Sequence, residues 1–384
     1  MTGSLRSDES ACAALVALLG PPAGTGGRTR RYVALPSPAR PRYLLPVTGR
    51  AGAGAHLRPG TGPGAAVSRR VVRAALRVRA GRLLPGAVDV ADGTPADPGL
   101  RRHLADILGR DDVEVAVALG APRPNRKPVL QVLAEDGATL AWAKLGVDAH
   151  TDALVAHEAE ALAERPGPPV VVPRLLRAGT WRDHRLLVLA HMDLAETTGR
   201  LRLTAAAVRA IAGPVRLGPA TAGGWWRGLR DEAARGADPD GRVAARLDDL
   251  EGRLAGRTWP FGRWHGDLAP WNASWRGDEL QVWDWERSAT PAPLGLDALH
   301  NHLQVALLGD GASLGFAVAE ARRLVGPLLV ELGHDTGDVD LVVDAYLAAL
   351  RVRYAGDAVH GSLGPGQPIA AALDAAVPTE RRVQ

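Results

Sequence analysis

Asp267, Asn272 and Asp284 are the residues of this chain whose types and spacing could do chemistry. They fall in Trp264-His265-Gly266-Asp267-Leu268-Ala269-Pro270-Trp271-Asn272 and, twelve residues further on, Asp284-Trp285-Glu286. Leu280 and Val282-Trp283 read as a short buried strand that delivers Asp284, and Trp259-Pro260-Phe261 as an apolar approach to Asp267. Two oxygen ligands on adjacent hairpin strands, Asn272 and Asp284, suit Mg²⁺, which prefers oxygen and keeps waters and substrate phosphates as its other ligands. Asp267 then lies beside the metal without binding it. A base must sit there to orient or deprotonate a hydroxyl attacking a γ-phosphate. An isolated Asp-x4-Asn is more often a turn. Here the chain has only three asparagines, Asn125, Asn272 and Asn301, and one takes the liganding position.

A lysine is the second signal. Lys127 and Lys144 are the only lysines among 46 basic side chains, so arginine is the default and each lysine is informative. Lys144 stands alone in the apolar strand Thr139-Leu140-Ala141-Trp142-Ala143-Lys144-Leu145, where an ammonium is costly unless it meets anions. On the helix expected over 152–164, Leu154, Glu158 and Leu162 recur every four residues, so Glu158 shares the inward face. Glu160 projects about 200° away. Glu158 is therefore the expected partner of Lys144.

The run His265-Gly266-Asp267-Leu268 with Asn272, then Asp284-Trp285-Glu286, resembles the catalytic and metal loops of the aminoglycoside phosphotransferase family, relatives of protein kinases. The two loops match without a gap. Ala141-Trp142-Ala143-Lys144 looks like the Val-Ala-Ile-Lys strand of kinases. The resemblance implies an α+β, bilobal protein-kinase-like fold with a small antiparallel-sheet nucleotide lobe (101–192) and a larger, mainly helical catalytic lobe (193–384). An N-terminal accessory α/β subdomain (1–100), of undisclosed role, precedes them. ATP and Mg2+ are the implied cofactors. The implied reaction moves the γ-phosphate to a hydroxyl of a small molecule: an aminoglycoside, a sugar, a choline-like compound or another metabolite.

By the same resemblance, Lys144 contacts the α- and β-phosphates and Glu158 holds it. Ala190-His191-Met192 is the hinge, so Ala190 and Met192 adjoin the adenine edge. Asn272 and Asp284 hold the metal and Asp267 is the catalytic base. Asp297 braces the catalytic loop, and His265 is structural. Five side chains, Lys144, Glu158, Asp267, Asn272 and Asp284, are expected to converge on one magnesium-loaded nucleotide. The loop 120–128 departs from the Gly-x-Gly-x-x-Gly cover of protein kinases, with one glycine and three prolines. Whether Asn125, Arg126 or Lys127 meets phosphate stays open. Thirteen residues from Asp284 to Asp297 leave no room for a phosphorylatable segment, which favours a small-molecule acceptor. The alternative is a catalytically inactive kinase-like binding or scaffolding module that uses the basic front segment. Retention of all five residues argues against it.

Further elements must position these groups. Strand-like runs lie at 32–35, 43–47, 113–119, 129–133, 170–176 and 185–189, and a helix around 100–108. Residues 49–64 are a Gly/Pro loop. Over 65–80, Val67, Val71, Ala75 and Val78 read as an inward face, with Arg69, Arg73 and Arg77 outside. Helices are expected at 205–211, 224–235, 243–254, 314–330 and 339–354. Trp225, Trp226, Trp259, Trp264, Trp271 and Trp275 are core candidates first and ligand-stacking candidates second. Asp231, Glu232, Asp238, Asp240, Asp248 and Asp249 are available to a cationic acceptor, or simply face water.

Composition bounds the rest. With 384 residues, 46% apolar and 23% charged, the chain is ordinary globular material of two or three subdomains. Cys12 is the single cysteine, which excludes a disulfide framework and fits a cytoplasmic protein. The apolar run 11–19 is too short to span a bilayer and is preceded by Asp8 and Glu9, not by positive charge. Residues 1–100 hold 14 Arg against five acids, whereas the other 284 carry 32 basic and 37 acidic side chains. The basic excess belongs to the front, and no nucleic acid partner is expected.

Overall fold

The computed structural model describes residues 11–21, 28–48, 50–57, 65–78, 80–194, 201–221, 223–236, 238, 241–361, 363 and 366–375. Asp8, Glu9, Asp240, the 58–64 part of the Gly/Pro loop and the tail beyond 375 lie outside them. The chain is mixed α+β and divides into two compact units, Met1–Ala159 with Arg174–Met192 and Glu160–Pro173 with Asp193–Gln384.

Unit 1 is built on an eight-stranded sheet in the order Ala87–Ala91, Thr29–Ser37, Arg40–Pro46, Val113–Leu119, Pro128–Ala134, Thr139–Leu145, His184–Ala190, Leu175–Trp181. Every neighbouring pair is antiparallel. The strands at the front of the chain do not form a sheet of their own. Tyr43 and Leu44 pair with Ala118 and Val117 and make one continuous ladder. Side chains alternate between faces. One face buries Tyr32, Val115, Val132 and Ala143 against Leu15, Leu100 and Leu104 of the helices Ala11–Leu19 and Leu100–Leu108. The other buries Val33, Ala116 and Leu133 against Ala51, Leu57 and Leu76.

Two sequence expectations need correction in this unit. In the helix Ala65–Arg77 the inward residues are Val72 and Leu76, not Val71, Ala75 and Val78. Val71 is 57% exposed and the following Val78 74%. Leucine buries more apolar surface than alanine, so Leu76 sets the rotation of the helix, and Arg73 turns in to donate to the Ala55 carbonyl. The side chains of Val67 and Arg69 lie outside the described residues. The apolar run 170–176 is also not one strand. Pro173 supplies no N–H to a ladder, and the run splits around it. Val170–Val171 pairs in parallel with Glu279–Val282 in unit 2, whereas Leu175–Trp181 joins the sheet of unit 1.

Unit 2 is mainly helical. Arg242–Leu254 buries Val243, Leu247, Leu250 and Leu254 along one side, as their spacing requires. With Gly224–Arg235, Leu314–Leu332 and Val339–Ala358 it encloses a core that includes Trp226, Trp259 and Tyr346. Trp225 and Trp264 are buried too, whereas Trp271 is 43% exposed. Asp238 accepts from the backbone N–H of Val243 and Ala244, and Asp248 pairs with Arg230, so these two acids serve the helices. Among the described residues, no helix is long and apolar enough to cross a membrane.

The helix Leu296–Gln304 was not legible in the sequence. Leu296, Asp297, Ala298, Leu299, His300, Asn301, Leu303 and Gln304 are all buried, so no apolar stripe stands out. Asp297, His300, Asn301 and Gln304 fall at i, i+3, i+4 and i+7, a single helix face. In this protein that polar face points inward.

Candidate functional site

Two groups of chemically competent side chains are assembled, one in each unit. In unit 1, Lys144 sits in Thr139–Leu145 opposite Val129 and Leu187. Its neighbours Ala143 and Leu145 face the apolar core, so the alternation turns Lys144 to the other side. The helix Ala149–Ala163 begins on a reciprocal cap: Asp148 Oδ1 accepts the Thr151 N–H at 2.9 Å and Thr151 Oγ1 accepts the Asp148 N–H at 3.1 Å. This helix presents Glu158, which is fully buried, to Lys144. Lys144 Nζ donates to both carboxylate oxygens, at 2.7 and 2.6 Å. Glu160 is exposed.

Removing one member of a buried ion pair is costly, because the attraction that offset the burial of both charges is lost. Glu158→Ala is therefore expected to lower the unfolding free energy by about 3 kcal/mol, measured by urea titration. An unchanged midpoint would show that Lys144 does not depend on Glu158. Ala190 and Met192 close the unit; the Ala190 N–H is already given to the Arg174 carbonyl at 2.8 Å. In the loop 120–128, Arg126 is buried and donates from Nε to the Gly120 carbonyl at 2.8 Å, tying the loop to itself.

In unit 2 the strand Thr258–Trp264 carries the chain into a tight loop holding Asp267. Gly266 has φ +82°, and a Cβ there would lie 2.2 Å from the Arg287 carbonyl oxygen, so glycine is required. Asp297 accepts the N–H groups of His265 and Gly266 at 2.8 and 3.0 Å, and Arg353 Nη2 donates to the Gly266 carbonyl at 2.5 Å. Burial pushes the Asp297 carboxyl up to about 6, against the pull of those two N–H groups.

Asp267 is held from two sides. Asn272 Nδ2 donates to its Oδ2 at 2.8 Å and to its backbone carbonyl at 2.9 Å. His300 Nε2 lies 3.2 Å from its Oδ1, with Arg353 Nη1 at 4.0 Å. Burial pushes the Asp267 carboxyl up, but the hydrogen bond from His300 and the nearby Arg353 charge outweigh it and hold it below the ordinary value. The side chain is still 35% exposed. It is an ionised carboxylate, and a reactant can reach it.

Asn272 and Asp284 flank the open end of the hairpin Ala273–Arg276 and Glu279–Val282 and do not lie in its strands. The Trp283 N–H donates to the Asn272 carbonyl at 3.0 Å and fixes that end. With its amide nitrogen spent on Asp267, Asn272 is left with Oδ1 as its acceptor. Asp284 has φ +70°, a conformation that Asp and Asn tolerate best among residues with a Cβ. Its charge is close enough to raise the Asp267 carboxyl. One amide oxygen and one carboxylate, beside a second carboxylate that does not need to ligate, fit a hard divalent cation such as Mg²⁺.

His265 is fully buried. Its Nε2–H donates to the Trp283 carbonyl at 3.0 Å and its Nδ1 accepts the Asp267 N–H at 3.2 Å. Both ring nitrogens are engaged only in the neutral form, and burial lowers the ring from 6.5 to about 4. Above pH 6.5 folded and unfolded chains share the neutral ring. As pH falls from 6.5 towards 4, the unfolded chain takes up a proton that the folded chain refuses, and stability is lost. His300 and His334 are lowered in the same direction. Urea unfolding is expected to show about 2 kcal/mol lost for His265 alone by about pH 5. Asp297, raised to about 6, works in the opposite sense over the same window. The His265 share is therefore read by comparing the pH profiles of the wild type and His265→Asn, and parallel profiles would contradict the neutral, fully bonded ring.

Sequence reasoning missed His300, Tyr346 and Arg353. The first two lie on buried positions without motif context, and Arg353 is one arginine among 44. The usable signal was the i, i+3 spacing of Asp297 and His300.

No family model matches the sequence, and no curated protein matches it. The solved structures to which the chain is similar include a thermostable mutant of an aminoglycoside phosphotransferase in complex with ADP and hygromycin B. Identity is 12%, 74% of this chain and 99% of that one are covered, and the TM-score is 0.48. An amicoumacin kinase in complex with AMP-PNP and Ca²⁺ follows at 12% identity, 69% and 87% coverage and TM-score 0.42. A putative fructosamine-3-kinase from Thermobifida fusca has 23% identity, 66% and 98% coverage and TM-score 0.36. These similar structures are small-molecule kinases.

Proposed function

We propose that the chain is an ATP- and Mg²⁺-dependent phosphotransferase that moves the γ-phosphoryl group to a hydroxyl of a small molecule. The observation that carries the reading is the Asp267 carboxylate, ionised, partly exposed and clamped between Asn272 and His300. Such a group accepts or orients a hydroxyl proton. Lys144, fixed by Glu158, neutralises the α- and β-phosphates, and the backbone around Ala190 and Met192 borders the base. Asn272 Oδ1 and the Asp284 carboxylate hold Mg²⁺, which when bound offsets the phosphate charge. The hydroxyl oxygen forms the new P–O bond as the bond from γ-phosphorus to the bridging oxygen breaks. ADP leaves, and the hydroxyl proton passes to Asp267. Because this transition state is largely dissociative, placement and charge neutralisation carry most of the acceleration.

The test is direct. Thermal stabilisation by ATP is expected to be much larger with Mg²⁺ present than without it, followed by slow ADP release that a suitable acceptor accelerates. Aminoglycosides, fructosamines, sugars and choline-like alcohols form the screening panel. No Mg²⁺-dependent ATP binding would reject the reading.

A further inference from the structure

We propose that His300 is a positioning residue for Asp267, locked in its Nε2–H tautomer by Tyr346, and that this bond sets the plane of the carboxylate. The inference rests on Asp267 being the proton acceptor of the proposed reaction. Tyr346 is fully buried, and its hydroxyl lies 3.0 Å from His300 Nδ1. Burial raises the phenol, so it keeps its proton, and the Gln304 side chain hydrogen-bonds the same oxygen. A phenol that keeps its proton donates to Nδ1, which makes Nδ1 the acceptor of the ring. Nε2 then carries the only ring proton and donates it to Asp267 Oδ1 at 3.2 Å. Burial also lowers His300 and keeps the ring neutral. The contribution to Asp267 is therefore a directed hydrogen bond and not a charge.

The bond is needed because an aspartate has a broad, roughly two-fold final torsion. Asn272 fixes Oδ2 alone, which leaves the carboxylate free to swing about that contact. A second donor on Oδ1 removes the swing. Three polar residues of the Leu296–Gln304 helix serve this corner together: Asp297 holds the loop backbone, His300 holds the side chain and Gln304 supports Tyr346. Burying polar groups is expensive unless they find partners, and for Asp297, His300 and Gln304 the partners are the loop of Asp267 and the tyrosine behind it.

The test uses His300→Gln, His300→Leu and Tyr346→Phe in the full chain, with saturating Mg-ATP and an active acceptor. Misplacing a reacting group by about 1 Å costs up to roughly a hundredfold. His300→Leu is expected to lower kcat about thirtyfold with nucleotide Kd and acceptor KM within about twofold. A glutamine amide can place an N–H near the position of Nε2, so His300→Gln is expected to recover most of kcat. Tyr346→Phe falls between. Wild-type kcat in His300→Leu, or equal losses in the Gln and Leu variants, would overturn the proposal. Should His300→Leu fail to fold, Tyr346→Phe decides the matter by the same split between kcat and Kd. A second readout needs no turnover: side-chain ¹⁵N spectra of the wild type should show His300 protonated at Nε2 and not at Nδ1, a signature that Tyr346→Phe disturbs. An Nδ1–H ring would sink the proposal. A wild type that transfers no phosphoryl group but shows the Nε2–H ring would instead reject the phosphotransferase reading and leave the hydrogen-bonded chain standing.

Discussion

Asp267→Ala is expected to lower kcat about a thousandfold while ATP binding persists, because a placed general base is worth roughly 10²–10⁴ in rate. The separation of the two effects follows from the contacts. Lys144 and Glu158 belong to unit 1 and do not touch the substituted residue's loop by any bond described above. Asn272 loses the carboxylate at 2.8 Å but keeps the Asp267 main-chain carbonyl at 2.9 Å. Its amide nitrogen therefore remains turned to the loop, and its oxygen remains turned to the proposed metal. The loop itself is held by Asp297 and Arg353 through main-chain atoms, which the substitution does not alter. Isothermal titration with ATP and Mg²⁺, beside turnover, separates the two quantities. Turnover equal to the wild type would remove Asp267 from the chemistry.

Asp284→Asn should produce the complementary result. Asparagine tolerates the left-handed backbone that Asp284 adopts at φ +70°, so the hairpin end keeps its shape. What disappears is one negative charge among hard oxygen donors. Substitutions that merely support a metal ligand cost about 10–100-fold in metal affinity. Loss of a ligand's charge is expected to weaken Mg²⁺-dependent ATP binding by at least about a hundredfold, with metal-free binding unchanged. If Mg²⁺ enhances ATP binding equally in both proteins, Asp284 is not a ligand. Asp284→Ala is the poorer experiment, since alanine at positive φ adds backbone strain to the lost charge.

Much of this was open to reading because local rules acted unopposed. Glu158 could be chosen over Glu160 since a helix places every fourth residue on one face, and one face must pack. The Arg242–Leu254 helix and the buried strand through Leu280 and Val282 likewise follow from periodicity. Tertiary demands hid the remainder. Asp297, His300, Asn301 and Gln304 form what sequence patterning treats as a solvent face, yet each is buried against partners that lie far away in the chain: Gly266, Asp267, Leu201 and Tyr346. The face of the Ala65–Arg77 helix was misjudged because its valines and alanines differ little in apolar weight, and the choice fell to Leu76. Pro173 was visible, but the partner of Val170 and Val171 is a strand more than a hundred residues away.

The ladder joining Tyr43 and Leu44 to Val117 and Ala118 has a practical consequence for anyone shortening this chain. A protein begun at residue 100 would retain Glu158 and the strands on either side of Lys144, but the strand Val113-Glu114-Val115-Ala116-Val117-Ala118-Leu119 would become the outermost of its sheet. Its main-chain donors and acceptors, now satisfied on both sides where the neighbours reach, would be offered to any passing strand. A long apolar border of that kind invites self-association into aggregates. The strand Arg40–Pro46 thus covers the hydrogen-bonding rim that Val117 and Ala118 would otherwise offer.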